Sequence, residues 1–309
     1  MKLFNDYSLR TMTLKNRLVM APMCMYQVHN EDGLATNFHF AHYVTRAIGQ
    51  VGLIIVEATG VTANGRITDN DLGLWDDSQI EPLKKIVDAV HEQGSKIAIQ
   101  LSHAGRKSTT KNTEHFAPSV VESNQAYMPY KEMSKEEIND ILEAFKQAVI
   151  RADKAGFDGV ELHGAHGYLI HEFLSPLSNQ RNDEYGIDRN LFLKKLLDTI
   201  HSVWPKEKEL WIRVSATDYH EDGLKPEDVA NALLEVKDQI DLVHVSSGGV
   251  ISAKIELKDG YQLGLSKTIK EKVGLPTIGV GLINDSNLFI SALEDNYCDL
   301  VASGRELLR

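Results

Sequence analysis

The chain has 309 residues, 42% of them hydrophobic and 25% charged, which is ample material for a sizeable buried core. Its formal charge of −11 is the opposite of what a nucleic-acid-binding surface requires. Its two cysteines, Cys24 and Cys298, are too few for a disulfide framework or a four-cysteine iron–sulfur cluster.

The first residues, MKLFNDYSLRTMTLKN, contain no apolar run long enough for a signal peptide, and no window approaches 18 uninterrupted apolar residues. A cytoplasmic protein with neither membrane nor nucleic acid as partner is expected. In chain order, strand-like apolar runs fall at 17–22, 52–57, 96–101, 159–163, 209–215, 240–246, 276–280 and 299–303. Most are nearly continuously apolar, as strands buried on both faces are. Helical spacing recurs between them at 78–94, 134–156, 188–204, 225–239 and 284–296. Ser134 with Glu137 three residues on reads as a capping box. Eight strand-then-helix units predict an α/β fold, a (β/α)8 TIM barrel, as one domain over 1–309. After DLVASGRELLR little more than one turn can follow, so most of the last helix is expected to be lacking. A doubly wound sheet is disfavoured, because no strand runs into G-x-G-x-x-G.

In such a barrel the loops after the strands carry the chemistry. The first strand ends in APMCMY, placing Cys24 and Tyr26 there; a lone cysteine is more often a small buried apolar residue. The second places the small Ala58 at the mouth, which suits either packing or a flat ligand. The third brings Gln100, whose amide suits the pyrimidine edge of a flavin or equally a satisfied core, and then a turn with the cations Arg106 and Lys107, which suits a solvated loop equally. The fourth runs into ELHGAHGYLIHEFLSP, with His163, His166, Tyr168 and His171. Two histidines three apart beside Glu161 suit either zinc or proton chemistry. The fifth carries Arg213 among apolar neighbours, a cation placed to stabilise a developing anion. The last three end in SSGG, GVG and SGR; small residues there cradle phosphates, and Arg305 adds charge-assisted hydrogen bonds. A phosphate cradle, a cation, an amide and a His/His/Tyr cluster on one face fit a planar, phosphate-bearing cofactor, and FMN is the economical choice.

The stretches LKNRLVMAPMCMY, HYVTRAIGQVGLIIVEA, GRITDNDLGLWDD, IQLSHAGRKS, HGAHGYLIHEFLSPLSN, RVSATDY and GRELLR resemble the old yellow enzyme family of FMN-dependent ene-reductases, in its bacterial NADPH dehydrogenase branch. The resemblance spans nearly the whole chain. It implies that Ala21, Pro22, Met23 and Cys24 line the flavin, with Cys24 tuning its potential. Ala58 and Gln100 would meet the ring, and Arg213 its N1–C2=O edge. Gly304 and Arg305 would grip the phosphate with the turns Ser246–Gly248 and Gly279–Gly281. Tyr26 would touch substrate.

By the same resemblance, hydride passes from NADPH to FMN and then to the β-carbon of an α,β-unsaturated carbonyl compound. His163 and His166 hold the carbonyl oxygen and Tyr168 protonates the α-carbon. His171 is expected to stand outside this set, and no metal is expected. A homo-oligomer, dimer or tetramer, is implied as well. Two departures stand out: DEYGIDRNLF is about three residues shorter than the family's YGGS-x-ENR region, and relatives continue well beyond GRELLR. The second keeps a flavin-binding protein of little turnover as an alternative. The related dienoyl-CoA reductases, which add an iron–sulfur cluster, are excluded by the cysteine count.

Overall fold

The computed structural model describes residues 1–122 and 125–308. Eight parallel strands close into a barrel: β1 (Leu18–Met20), β2 (Leu53–Gly60), β3 (Lys96–Ser102), β4 (Gly159–Gly164), β5 (Glu209–Ser215), β6 (Val243–Ser246), β7 (Thr277–Gly279) and β8 (Leu300–Ser303). Each pairs with its sequence neighbour, and β8 closes on β1 in the register Val301 with Leu18, Ala302 with Val19 and Ser303 with Met20. All residues of β2 and β5 are buried, which is why their sequences read as mostly apolar runs rather than regularly alternating ones. All eight expected strands form, with ends within three residues of the expected ones.

Nine α-helices lie among the described residues: α1 (Asn37–Ile48), α2 (Ile80–Glu92), α3 (Lys135–Lys154), α4 (Leu169–Leu174), α5 (Glu184–Ile187), α6 (Leu191–His201), α7 (Pro226–Leu234), α8 (Leu263–Val273) and α9 (Ser286–Glu294). The outward side chains of the strands pack with the buried faces of α2, α3, α6 and α7 in one large cluster. The inward ones, among them Val19, Leu53, Ile55, Ala98 and Trp211, form a second cluster with Met12 and Leu14. Leu14 belongs to a short hairpin, Tyr7–Ser8 with Thr13–Leu14, that precedes β1. The start of α3 is the expected capping box. Ser134 Oγ accepts the Glu137 N–H at 3.2 Å, and a Glu137 oxygen accepts the Ser134 N–H at 2.7 Å.

Four helices were not expected: the short α4 and α5, and the longer α1 and α8. The buried face of α1 is His39, His42, Tyr43 and Ala47, so two of its four buried residues are polar and blur the apolar period. The buried face of α8 includes Ser266, whose hydroxyl bonds Thr277 at 3.2 Å. After β8 the chain makes a single 3-10 turn, Arg305–Leu308.

Candidate active site

Strand β4 sends Val160 and Leu162 outward into the helix layer and Glu161 and His163 into the barrel. His163 pairs in register with Arg213 of β5. Beyond Gly164 the chain turns sharply, and His166 takes the left-handed φ of +60° that a non-glycine residue adopts only at a cost of about 1–3 kcal/mol. Surrounding groups hold it there. The His166 N–H donates to Ser215 Oγ at 3.0 Å, whose hydroxyl donates to the Gly248 carbonyl at 2.7 Å. The His166 carbonyl accepts from Lys107 Nζ at 2.9 Å, and Lys107 also donates to the Gly249 carbonyl at 2.9 Å. The Gly167 N–H donates to His171 Nδ1 at 2.9 Å. Gly249 faces His166 so closely that a Cβ there would lie 2.5 Å from the His166 Cα. Tyr168 then caps α4.

The turn gathers three rings. His163 stands edge-on to His166, centroids 5.2 Å apart, and edge-on to Tyr168 at 4.7 Å. Lys107 Nζ lies 5.6 Å from the centre of the Tyr168 ring. Burial, with Arg213 second, pulls both imidazoles well below the ordinary histidine pKa, so both are neutral at pH 7. Each therefore carries one N–H. His163 Nδ1 accepts the Ala165 N–H in a long 3.4 Å contact, which leaves the ring hydrogen on Nε2. His166 Nε2 lies 2.7 Å from Ser246 Oγ, which also accepts from Gln262 at 3.3 Å. That network is satisfied when Ser246 donates to His166 and the His166 hydrogen sits on Nδ1. Burial raises the Tyr168 phenol far above its ordinary value, so it holds its proton.

Beside the rings a cavity of about 390 Å³ opens at the strand ends. Ala21, Pro22 and Met23 after β1 form one wall, and His166, Arg213 and Ser246 another. Gly281, Gly304 and Arg305, after β7 and β8, line it too. Gly281 has φ +119°, and a Cβ at Gly304 would meet only Met23 Sδ at 3.6 Å, so the backbone there stands open to a ligand. Arg213 is 8% exposed and its Nε is buried without a hydrogen-bond partner. A buried cation with an unspent donor calls for an anionic or carbonyl partner. The donor set fits a planar, electron-rich cofactor carrying a phosphate.

The other expected residues lie around this cavity rather than on its lining. Ala58 sits where the β2–β3 register slips between Val56 and Thr59. The Cys24 thiol is raised well above its usual pKa by burial and then by the carboxylates of Asp71 and Glu57, so it is a neutral thiol; the Ala58 backbone and Tyr26 hydrogen-bond it. Tyr26, 45% exposed, has its phenol pushed up to about 12 by burial and by Cys24. Gln100 donates its amide to Glu161 at 2.6 Å, leaving its carbonyl oxygen as the end that can meet a ligand. Gly248 belongs to the turn that braces Ser215. Gly279 lies inside β7, where a Cβ would strike Cys298 Sγ at 2.8 Å, so packing already accounts for its small size.

His171 lies outside the three-ring set and is a buried structural residue, bonded into the turn through Gly167. Lys107 and Ser215 belong to the site as well. The first read equally as a solvated loop residue, and the second shows itself only through the pairing of loops distant in sequence. Glu161, the carboxylate that a zinc reading needs, is occupied by Gln100, Trp211 and His244 at 2.6, 2.7 and 2.8 Å. Among the described residues no group of three or more His, Cys, Asp or Glu is arranged to hold a metal. A larger cavity of about 490 Å³ lies against α4, α6 and α7. It is lined by none of the three rings and by neither Arg213 nor Arg305, so size alone misplaces the site. No helix among the described residues is long and apolar enough to cross a membrane.

Comparison with known proteins agrees with this geometry. Residues 2–309 match the NADH:flavin oxidoreductase / NADH oxidase family. The chain is 53% identical to an NADPH dehydrogenase of Clostridium acetobutylicum over 313 residues, covering all of this chain and 92% of that one. Among solved structures, morphinone reductase superposes with a TM-score of 0.85 at 28% identity, over 98% of this chain and 85% of that one. An old yellow enzyme homologue from Zymomonas mobilis superposes with a TM-score of 0.85 at 29% identity, over 99% and 89%.

Proposed function

The chain belongs to the NADH:flavin oxidoreductase / NADH oxidase family, and on that premise we propose that it is an NADPH-dependent ene-reductase acting on α,β-unsaturated carbonyl compounds. The observation that carries the reading is the cluster of His163, His166 and Tyr168 beside a cavity lined by Arg213, whose buried Nε has no hydrogen-bond partner.

FMN, when bound, supplies the hydride that NADPH delivers and the alkene receives. Arg213 would face its anionic edge, and Gly281, Gly304 and Arg305, with Ser246, Gly248 and Gly279, its phosphate. Ala21, Pro22, Met23, Cys24 and Ala58 would pack on it, and Gln100 would offer its carbonyl oxygen. Tyr26 would close over the substrate.

His163 through Nε2 and His166 through Nδ1 donate hydrogen bonds to the substrate's carbonyl oxygen. These strengthen as charge develops on that oxygen, and one such donor is worth about 10²–10³ in rate. Because both rings are neutral, they stabilise the enolate-like charge without surrendering a proton to it. Tyr168 gives its proton to the α-carbon. A phenol held protonated by burial waits for a strongly basic carbanion, and the neighbouring Lys107 ammonium eases the phenolate that follows.

The test is direct. Purified protein supplied with FMN should bind it, be bleached by NADPH under anaerobic conditions, and regain its colour with 2-cyclohexenone. Protein that takes up no FMN, or that stays bleached with every enone tried, would contradict the reading.

A further inference from the structure

His171 and Asp218 take no part in the chemistry just described, yet both are buried, 1% and 0% exposed. His171 Nε2 lies 2.9 Å from Asp218 Oδ1, and His171 Nδ1 accepts the Gly167 N–H at 2.9 Å. A ring nitrogen that accepts a backbone N–H carries no hydrogen, so His171 is neutral with its proton on Nε2, facing the carboxylate. The other oxygen of Asp218 accepts the Ser175 hydroxyl at 2.7 Å and the Leu224 N–H at 2.9 Å. Asp218 follows β5, Ser175 follows α4, and Leu224 precedes α7. Gly167 is the residue between His166 and Tyr168. It has φ +73°, and a Cβ there would lie 2.4 Å from the Gly249 carbonyl, so the turn has a single seat.

We propose that Asp218 and His171 form a positioning dyad: Asp218 fixes the His171 tautomer whose Nδ1 holds the Gly167 N–H, and that bond aims His166 and Tyr168 at the substrate. The dyad rests on the reading of those two residues as the substrate-facing set. Its action is that of the aspartate in a serine-protease triad, which holds a histidine in one tautomer without itself exchanging a proton.

The network makes the dyad breakable by one atom. In Asp218→Asn the Leu224 N–H still needs an acceptor and cannot reverse. The asparagine oxygen therefore stays on that side, and the NH2 group turns to His171 Nε2. Nε2 must now accept, the ring hydrogen moves to Nδ1, and it faces the Gly167 N–H, donor against donor. The turn is pushed from its seat with little change in side-chain volume.

The experiment uses the FMN-loaded protein and two readouts, nitrogen NMR of the His171 ring and steady-state reduction of 2-cyclohexenone. Wild type should show His171 protonated on Nε2. Asp218→Asn should move the hydrogen to Nδ1 and lower kcat for the enone by about ten- to a hundredfold, the scale expected for a misplacement near 1 Å. A second pair decides the matter if that variant folds poorly. His171→Asn keeps an acceptor near the Nδ1 position and should retain more activity than His171→Leu. A wild-type His171 protonated on Nδ1, a tautomer switch that leaves turnover unchanged, or equal activity of the two His171 variants would overturn the dyad. Wild type that reduces no enone sinks the functional reading instead, while the tautomer measurement still decides whether Asp218 sets the ring.

Discussion

Strand β4 sends two polar side chains into the same barrel, Glu161 and His163, two residues apart, and their surroundings differ in kind. Glu161 has both oxygens occupied by donors from β3, β5 and β6. Burial pushes its pKa up, but His244 and Arg213 more than cancel that, and the carboxyl is held below its ordinary range. His163, one layer higher, is pulled below its ordinary value by burial and Arg213 and keeps a ring N–H to spare. A polar layer that spends its hydrogen bonds internally is scaffold; one that leaves donors over is a site. Arg213 sits between the two, attracted by Glu161 below while its Nε remains unpartnered.

If that contrast is right, damage in the lower layer reads out as stability and damage in the upper one as rate. Glu161→Ala leaves three buried donors unpaired and should cost about 3–5 kcal/mol in urea unfolding, the scale of breaking a buried charged network. Unfolding within 1 kcal/mol of wild type would mean that layer is not scaffold. His163→Ala should lower enone reduction by about 10²–10³ while leaving the urea midpoint close to wild type. A variant that unfolds but, once stabilised, turns over normally would reverse the assignment.

A smaller effect comes from acid. Burial holds His103, and His42 with it, down to about 4, so both stay neutral in the fold while an unfolded histidine protonates below about 6.5. Stability from these groups is full above about pH 6.5 and is lost as pH falls towards 4. His103→Leu should therefore lose less stability over that window than wild type does, measured by urea titration at each pH. Smallest is the cap: Ser134→Ala should cost about 1 kcal/mol without touching turnover, since α3 lies in the outer layer.

The barrel was legible because strands buried on both faces write nearly continuous apolar runs, and all eight were readable. The helices α1 and α8 were not, because His39, His42 and Ser266 occupy buried faces where the period needs apolar residues. Arg213 declared itself by being a cation among apolar neighbours, and His163, His166 and Tyr168 by their spacing. Ser215, Gly249 and Asp218 carried no such mark. Their roles arise from bonds to the His166 backbone and to His171 across 47 to 49 residues, or from tight packing against that turn, which periodicity does not encode. Gln100 shows the limit of reading side-chain type alone, since half of its amide goes to Glu161.

The central claim is that Tyr168 is the proton donor at this mouth, and Tyr168→Phe tests it most directly. In anaerobic stopped-flow measurements on the FMN-loaded variant, bleaching by NADPH should proceed at close to the wild-type rate. Recovery of colour on mixing with 2-cyclohexenone should slow by about 10²-fold or more, the range general acid catalysis supplies. Equal slowing of both phases, or recovery at the wild-type rate, would contradict the account.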